Sequence, residues 1–371
     1  MATTDKRLDI SELDFDDIKT NLKTFLRNQT EFTDYDFEGS GMSSLLDLLS
    51  YNTHYLSMNA NLLANEMFID TASLRSSVVS HAKTLGYTPR SVRAPQATVD
   101  ITLNDTSVTT ATLARGTKFS TVVNDVTYNF LVNTARTKSR VDNVLTFDNV
   151  VLYEGSLITT RYTADSTNVD QRFIIPDSNA DTTTLTVSVQ NSSTDTTTTV
   201  FTLATDISQV SDTSNSYFLQ EIENGQFEVY FGDGVIGKAL TDNNIVILEY
   251  IVTNKSASNG ASTFTPPGSI SGSSDNSVAT VSTASGGAEA ENIQSIKLNA
   301  PLDYASQGRA VTTNDFKVIV PTLFANTQSV SVWGGEDNDP ASYGKVFISV
   351  KTTTGSDLSL IHISEPTRPS Q

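Results

Sequence analysis

The chain of 371 residues has no cysteine, so disulfides, thiolate metal sites and a cysteine nucleophile are all excluded. Histidine is nearly as scarce, with His54, His81 and His362 only. A Ser-His-Asp triad would have to use one of these three. Neither His54 nor His81 has a metal-ligating partner three or four positions away, and no nucleophile-elbow sequence is present. Basic residues are also few, 24 against 42 acidic ones, for a net charge of -18. That balance argues against nucleic acid or an anionic membrane as the main partner. No run of about 18 apolar residues exists to form a membrane-spanning helix. The opening Met-Ala-Thr-Thr-Asp-Lys-Arg leads into an acidic amphipathic stretch and does not read as a signal peptide.

What is present divides by texture. Residues 1–93 read as a helical region. Phe15, Ile18, Leu22 and Phe25 recur at 3-4-3 spacing, a narrow apolar seam of the kind that packs helices together. The seam can serve later helices of the same chain or helices of another chain, and its narrowness favours the second. A polar break at Thr33–Gly41 precedes a second helix from about Ser43, carrying Leu45, Leu48, Leu49, Tyr55, Leu56, Leu62, Leu63 and Met67. Asp70 or Thr71 is a candidate N-cap for a third helix through Leu85, with Gly86 at the C-terminal capping position and Pro89 beyond it.

Residues 94–255 read as a β-rich domain. Val99, Ile101 and Leu103 alternate with polar residues, as do Leu185, Val187 and Val189. Further strands are expected at Lys118–Val123, Thr127–Val132, Leu145–Tyr153, Gln171–Ile175 and Asn244–Val252, with a hairpin turning at Asn224-Gly225. Residues 256–287, rich in Ser, Gly, Ala and Thr, read as a loop or linker. Residues 288–357 form an α/β segment. It has helices over Ala288–Ala300 and Thr313–Val320, the second capped by Thr312 or Thr313, and a strand at Lys345–Val350. The expected fold class is therefore α+β: an N-terminal helical region, mostly antiparallel β domains, and short helices near the C-terminal end.

Phe231-Gly-Asp-Gly-Val-Ile-Gly-Lys-Ala239 fits parts of two phosphate-binding patterns, with glycines 232, 234 and 237 and Lys238. Both patterns need a helix after the glycines to meet the phosphates, and the next residues, Thr241-Asp-Asn-Asn-Ile-Val-Ile-Leu, read as turn then strand. A β-turn with glycines at positive φ is the expected form. Glu336-Asp-Asn-Asp339 lacks the spacing of a calcium loop and reads as a solvated turn. No catalytic residue, cofactor or metal site is assigned, and the chain is not read as an enzyme.

Several segments resemble the baseplate wedge subunit (gene product six) family of T4-like contractile-tailed phages. They are Phe15-Asp-Asp-Ile-Lys-Thr-Asn-Leu-Lys, Asp36-Phe-Glu-Gly-Ser-Gly, Leu45-Leu-Asp-Leu-Leu-Ser-Tyr-Asn-Thr-His-Tyr, Asn61-Leu-Leu-Ala-Asn-Glu-Met-Phe and Ala82-Lys-Thr-Leu-Gly-Tyr-Thr-Pro-Arg90. Phe231-Gly-Asp-Gly-Val-Ile-Gly, Gly286-Gly-Ala-Glu-Ala-Glu-Asn-Ile and Arg309-Ala-Val-Thr-Thr-Asn-Asp-Phe316 are similar to the wider baseplate J-like family. The resemblance implies a structural protein of the virion tail baseplate, assembled in the host cytoplasm, that joins wedges in the inner ring and couples baseplate rearrangement to sheath contraction. It implies other wedge proteins and a second copy of this chain as partners in a helical bundle, to which Phe15, Ile18, Leu22 and Phe25 would belong. A β-rich adhesin or glycan-binding module is the alternative, with the single Trp333 as its candidate aromatic platform.

Leu358-Ser-Leu-Ile-His-Ile-Ser-Glu-Pro-Thr-Arg368 resembles the in-frame translation of a sequencing adapter. Residues 358–371 are therefore expected to be foreign, and the native sequence to be the N-terminal part of a longer protein running past Asp357.

Overall fold

In a computed structural model of the chain, the structure describes residues 14–29, 40–105, 107–141, 145–168, 170–205, 209–222, 225–323, 327–352 and 358–364. The chain divides into two compact units, Met1–Leu85 and Gly86–Gln371. The first is helical: α1 (Phe15–Arg27), α2 (Gly41–Glu66) and α3 (Arg75–Thr84). Two of the starts have a side-chain cause. Asp14 caps α1 by accepting the N–H of Asp16 and of Asp17, and Ser40 caps α2 by accepting from Ser43. α3 ends where expected, with Gly86 at φ +80° just past it. Helix does not extend over Leu85–Arg90, and residues 1–13 of the expected helical region lie outside the described residues.

The second unit holds two β lobes and a C-terminal α/β lobe. The first lobe is a five-stranded antiparallel sheet in the order β14-β1-β6-β4-β3, formed by Asn276–Ser285, Gln96–Leu103, Thr146–Glu154, Val126–Val132 and Lys118–Val123. A small pair, β2 (Thr110–Leu113) with β5 (Arg136–Ser139), completes it. Alternation in β1 works as the sequence suggests: Val99, Ile101 and Leu103 are buried with Phe119, Phe130 and Leu152. The span 256–287 differs from the expected loop. Ala261, Phe264 and Ile270 are buried in this core, and β14 pairs antiparallel with β1. Its Ser, Thr and Ala side chains mimic linker composition, but one edge of β1 needs a partner for its backbone groups.

The second lobe is a seven-stranded sheet in the order β7-β13-β9-β10-β11-β12-β8. Its strands are Ser156–Thr163, Ile245–Val252, Ala180–Gln190, Thr198–Leu203, Ser216–Glu221, Phe227–Phe231 and Phe173–Ile175. All neighbours are antiparallel except β10 and β11. The sheet curls until its two edge strands meet, where the Tyr162 hydroxyl donates to the Ile174 carbonyl at 2.6 Å. The β11–β12 hairpin lies at the expected place, with Gly225 at φ +72°. Asn224 of its turn is outside the described residues.

Polar ties join the β lobes, among them three made by charged side chains. Glu154, fully buried at the end of β6, accepts from the Thr253 hydroxyl (2.6 Å), the Asn254 backbone N–H (2.9 Å) and the Asn254 side-chain amide (2.7 Å). Asp181 in β9 accepts the Ala94 N–H at 2.9 Å just ahead of β1. Burial pushes the Asp181 carboxyl up, against the opposing pull of the bonds from Ala94 and Thr183 and of the Arg93 charge. Arg115 reaches across from the first lobe to the Glu249 carboxylate (2.9 Å) and the Thr184 carbonyl (3.1 Å). Between β6 and β7 the chain passes from one sheet to the other at Gly155, φ +130°, where an added Cβ would stand 2.2 Å from the Val252 carbonyl oxygen.

In the C-terminal lobe, α4 (Ile293–Ser306) is capped by Asn292 and runs through Pro301 rather than stopping at Ala300. A proline interrupts one backbone bond, and here the helix ends later, at Gln307 and Gly308 with left-handed φ. α5 (Thr313–Leu323) starts on a reciprocal cap: Asp315 accepts the Thr312 N–H at 2.7 Å, and Thr312 Oγ1 accepts the Asp315 N–H at 3.3 Å. Phe316 and Val320 of α5 pack on Val332, Ile348 and Val350 of a three-stranded sheet. Its strands are β15 (Thr327–Gly334), β16 (Lys345–Thr352) and β17 (Leu358–Ser364), so part of the adapter-like stretch pairs as an edge strand. The Glu291 carboxylate before α4 accepts from Tyr87, the Arg90 N–H, Ser295 and Asn299. It thereby fastens the segment after α3 onto the start of α4.

Gly155→Ala is expected to destabilise the β lobes by about 2–4 kcal/mol, through strain at positive φ and backbone overlap. A urea melt followed by β-sheet circular dichroism checks this, and an unchanged midpoint would show that the crossing tolerates a Cβ.

Candidate assembly interface

The helical unit spends its side chains in an unusual way. α2 is 26 residues long, about 39 Å at 1.5 Å per residue. Its buried positions are Ser43, Leu46, Ser50 and Asn61, with His54 and Ser57 half-buried along the same line. α1 packs on α2, burying Ile18, and Lys19 meets Asp47 at 2.6 Å. The hydroxyls of Ser43 and Ser50 are buried without a hydrogen-bond partner among the described residues. The chain therefore covers the small, polar face of α2.

The opposite face is apolar and bare. Leu48-Leu49, Tyr55-Leu56 and Leu62-Leu63 recur at intervals of seven, and all six side chains are exposed, Leu63 by 69%. Leu45, Tyr51, Met58 and Met67 extend the exposed surface. A seven-residue apolar repeat sustained over three repeats is the pattern by which one helix seats against another in a bundle.

The seam expected on α1 is divided. Ile18 is 7% exposed, Phe15 and Leu22 are half-buried, and Phe25 is 64% exposed. Ile18 thus belongs to packing within the chain, and Phe25 remains outward. The larger unpartnered surface is on α2. Its residues were legible as helical, but their seven-residue pairing was the signal that set them apart.

The turn between α2 and α3 is closed by Glu66 rather than by Asp70 or Thr71. Its carboxylate accepts the Ser73 N–H at 2.8 Å, the Ser73 hydroxyl at 2.6 Å and the Leu74 N–H at 3.2 Å. Thr71 instead donates its hydroxyl to the Asn65 carbonyl at 2.6 Å. Desolvation raises the Glu66 carboxyl, but bonds from Ser73, Ser77 and Leu74 outweigh it and hold it down to about 2. His81 Nε2 lies 2.9 Å from the Glu66 carbonyl oxygen, so this ring fastens α3 to the end of α2.

The remaining motif candidates have structural roles. After Gly232–Ala239 the chain turns through Thr241–Asn244 into β13, with no helix to receive phosphate. Gly234 and Gly237 take φ near +89° and +87°, as a turn requires. The adjoining cavity, about 180 Å³, is smaller than ordinary ligand pockets, and Asp165 and Asp233 line it. Trp333 stacks on Phe347 at 5.9 Å and donates its indole N–H to Asn338 at 2.9 Å, so it packs the C-terminal sheet. That bond also engages Asn338 of the Glu336–Asp339 turn.

Residues 14–87 match the family described as baseplate wedge protein gp6-like, helical domain, and residues 312–364 match baseplate structural protein gp6, C-terminal domain I. Both matched segments are gp6-like baseplate wedge domains. The first match begins at the Asp14 cap of α1 and ends just past α3; the second begins at the Thr312 cap of α5 and runs through β17. Baseplate wedge protein gp6 of Enterobacteria phage T4 is 30% identical over 368 residues, covering 92% of this chain. The chain spans about half of that relative's length, 54%.

Because the folded Glu66 carboxyl titrates near 2 and an unfolded one near 4.3, its contribution is full above that upper value. It is lost as pH falls through 2. Glu66→Gln is expected to destabilise the helical unit by about 1 kcal/mol at pH 6, as loss of a cap does. The gap between variant and parent should close toward pH 2, read from helical melts across that range; a gap independent of pH would remove the ionic cap.

Proposed function

We propose that this chain is a structural subunit of a phage tail baseplate wedge, and that the bare apolar face of α2 is its main assembly surface. The observation that carries this is the heptad pairing of Leu48-Leu49, Tyr55-Leu56 and Leu62-Leu63 on a helix whose own unit covers the other face. Burying a leucine side chain is worth roughly 1.5–3 kcal/mol, so five leucines with Tyr55 outweigh a large association cost. Wedge proteins and a second copy of this chain are the partners, and helices that present their own apolar seam are the complementary surface. Phe25 joins that surface from α1, whereas Ile18 supports it from within. The gp6-like domain matches support a place in the tail baseplate of the virion.

The finer reading is mechanical. The β lobes, tied through Glu154, Asp181 and Arg115, form a stiff body that carries forces arriving through the helices toward the sheath. No catalytic chemistry enters this role. The rearrangement is a change of contacts between subunits rather than of covalent bonds.

The test separates the two helical surfaces. Leu56→Asp, outward on α2, is expected to abolish co-purification with wedge partners while circular dichroism keeps its helical signal. Leu22→Asp, half-buried on α1, is expected to weaken binding and also lower the melting temperature of the helical unit. Intact binding by Leu56→Asp would overturn the α2 interface and return the assignment to α1.

A further inference from the structure

The loop between β12 and β13 ends in two adjacent β-branched residues that the chain leaves bare. Val235 is 72% exposed and Ile236 44%. The backbone beneath them is held firmly. Asp233 Oδ1 accepts the N–H of Val235 at 2.9 Å and of Ile236 at 3.0 Å, and Gly234 donates to the Gly237 carbonyl at 3.0 Å. Gly237 donates to Ser211 at 3.1 Å and Lys238 to Ser214 at 2.9 Å. Gly232 passes so close that a Cβ there would stand 2.2 Å from the Ile236 carbonyl oxygen. The tip leaves most of Val235 and nearly half of Ile236 uncovered, and its fixed backbone lowers the ordering cost of binding something else.

Beside the tip opens the cavity of about 180 Å³, with Phe173, Phe231 and Leu240 among its apolar lining and Asp165 and Asp233 among its polar lining. A cavity of about 150 Å³ admits a benzene ring, so this one has room for a branched aliphatic side chain. Lys238, exposed, stands on the arm of the tip. One surface thus carries both halves of a contact: an apolar knob with a cation beside it, and an apolar socket with a carboxylate beside it. A surface that holds both halves side by side is self-complementary under a two-fold axis, where residue i meets j and j meets i.

We propose that this end of the seven-stranded lobe is a two-fold contact between copies of the chain. Ile236 or Val235 of each enters the socket of the other, and Lys238 of each faces Asp165 of the other. Opposite local charges here favour the second copy despite the net charge of -18. The inference extends the reading of a second copy as partner to a surface distinct from α2.

The absence of cysteine makes the test clean, since each introduced thiol is the only one in its chain. The full chain carrying Leu56→Asp is used, so that contacts through α2 do not feed the result. Ile236→Cys and Ser166→Cys variants in this background are mixed and oxidised mildly with oxidised glutathione. The expected result is a disulfide-linked mixed dimer forming on the order of tenfold faster than one between Val122→Cys and Ser166→Cys, as a raised effective concentration requires. Val122 is exposed on β3 of the other lobe. Adding Val235→Asp to both chains should remove the advantage. Cross-linking no faster than the control, or indifferent to Val235→Asp, overturns the two-fold contact. So does a chain that stays monomeric while the loop is protected by another protein. Loss or survival of wedge binding by Leu56→Asp is read in a separate experiment and does not bear on this one.

Discussion

A carboxylate taken out of water must be met by donors, and three buried carboxylates organise the larger unit of this chain. Glu154 collects three bonds from Thr253 and Asn254, joining the end of β6 to the end of β13. Asp181 holds the backbone entering β1. Glu291 ties Tyr87 and Arg90 to the first turn of α4. Each spans a long sequence separation, so each can form only when two distant segments have reached their places. Removing one partner would leave a charge stranded, which costs more than an ordinary bond contributes. The β lobes therefore have one arrangement rather than a family of loosely packed ones, and Gly155 fits because no side chain could pass at that crossing.

The helical unit obeys the opposite logic. Its longest helix turns a largely polar, small-residue face inward, with two serine hydroxyls unsatisfied among the described residues, and leaves every leucine but Leu46 in solvent. For a chain meant to function alone this arrangement is unfavourable on both faces. It becomes favourable once another helix covers the leucine face, because the apolar area gained is much larger than the small cost within. Exposed apolar surface of this extent marks an interaction site in a native protein. The contrast between a self-sufficient β unit and an incomplete helical unit is what an assembly subunit requires.

Much of this was legible in the sequence because period and punctuation were strong. Val99, Ile101 and Leu103 alternate because β1 has one buried face, and Gly86 ends α3 because few other residues take its backbone angles. What was not legible depends on distance. The Glu66 cap lies seven positions before Ser73, beyond the three-residue reach of the usual capping pattern. β14 carries Ser, Thr and Ala where a core strand would carry aliphatics, and only the free edge of β1 explains it. Two regular stripes run along α2, and a periodic pattern alone does not tell which stripe the chain covers.

The same reasoning explains why the glycine-rich loop misleads. Its glycines meet the spacing of phosphate-binding loops because both need tight turns and close backbone approach, yet the two uses differ in the element that comes after the turn. A phosphate site needs a helix whose N-terminal amides converge on the anion. Here the amides of Val235 and Ile236 converge on Asp233, which fills the place an anion would take. The loop carries its own carboxylate, so its ordering requires no ligand. With the amides satisfied internally, what remains for the outside is the apolar pair at the tip, and apolar side chains on a rigid frame suit a protein surface rather than a nucleotide.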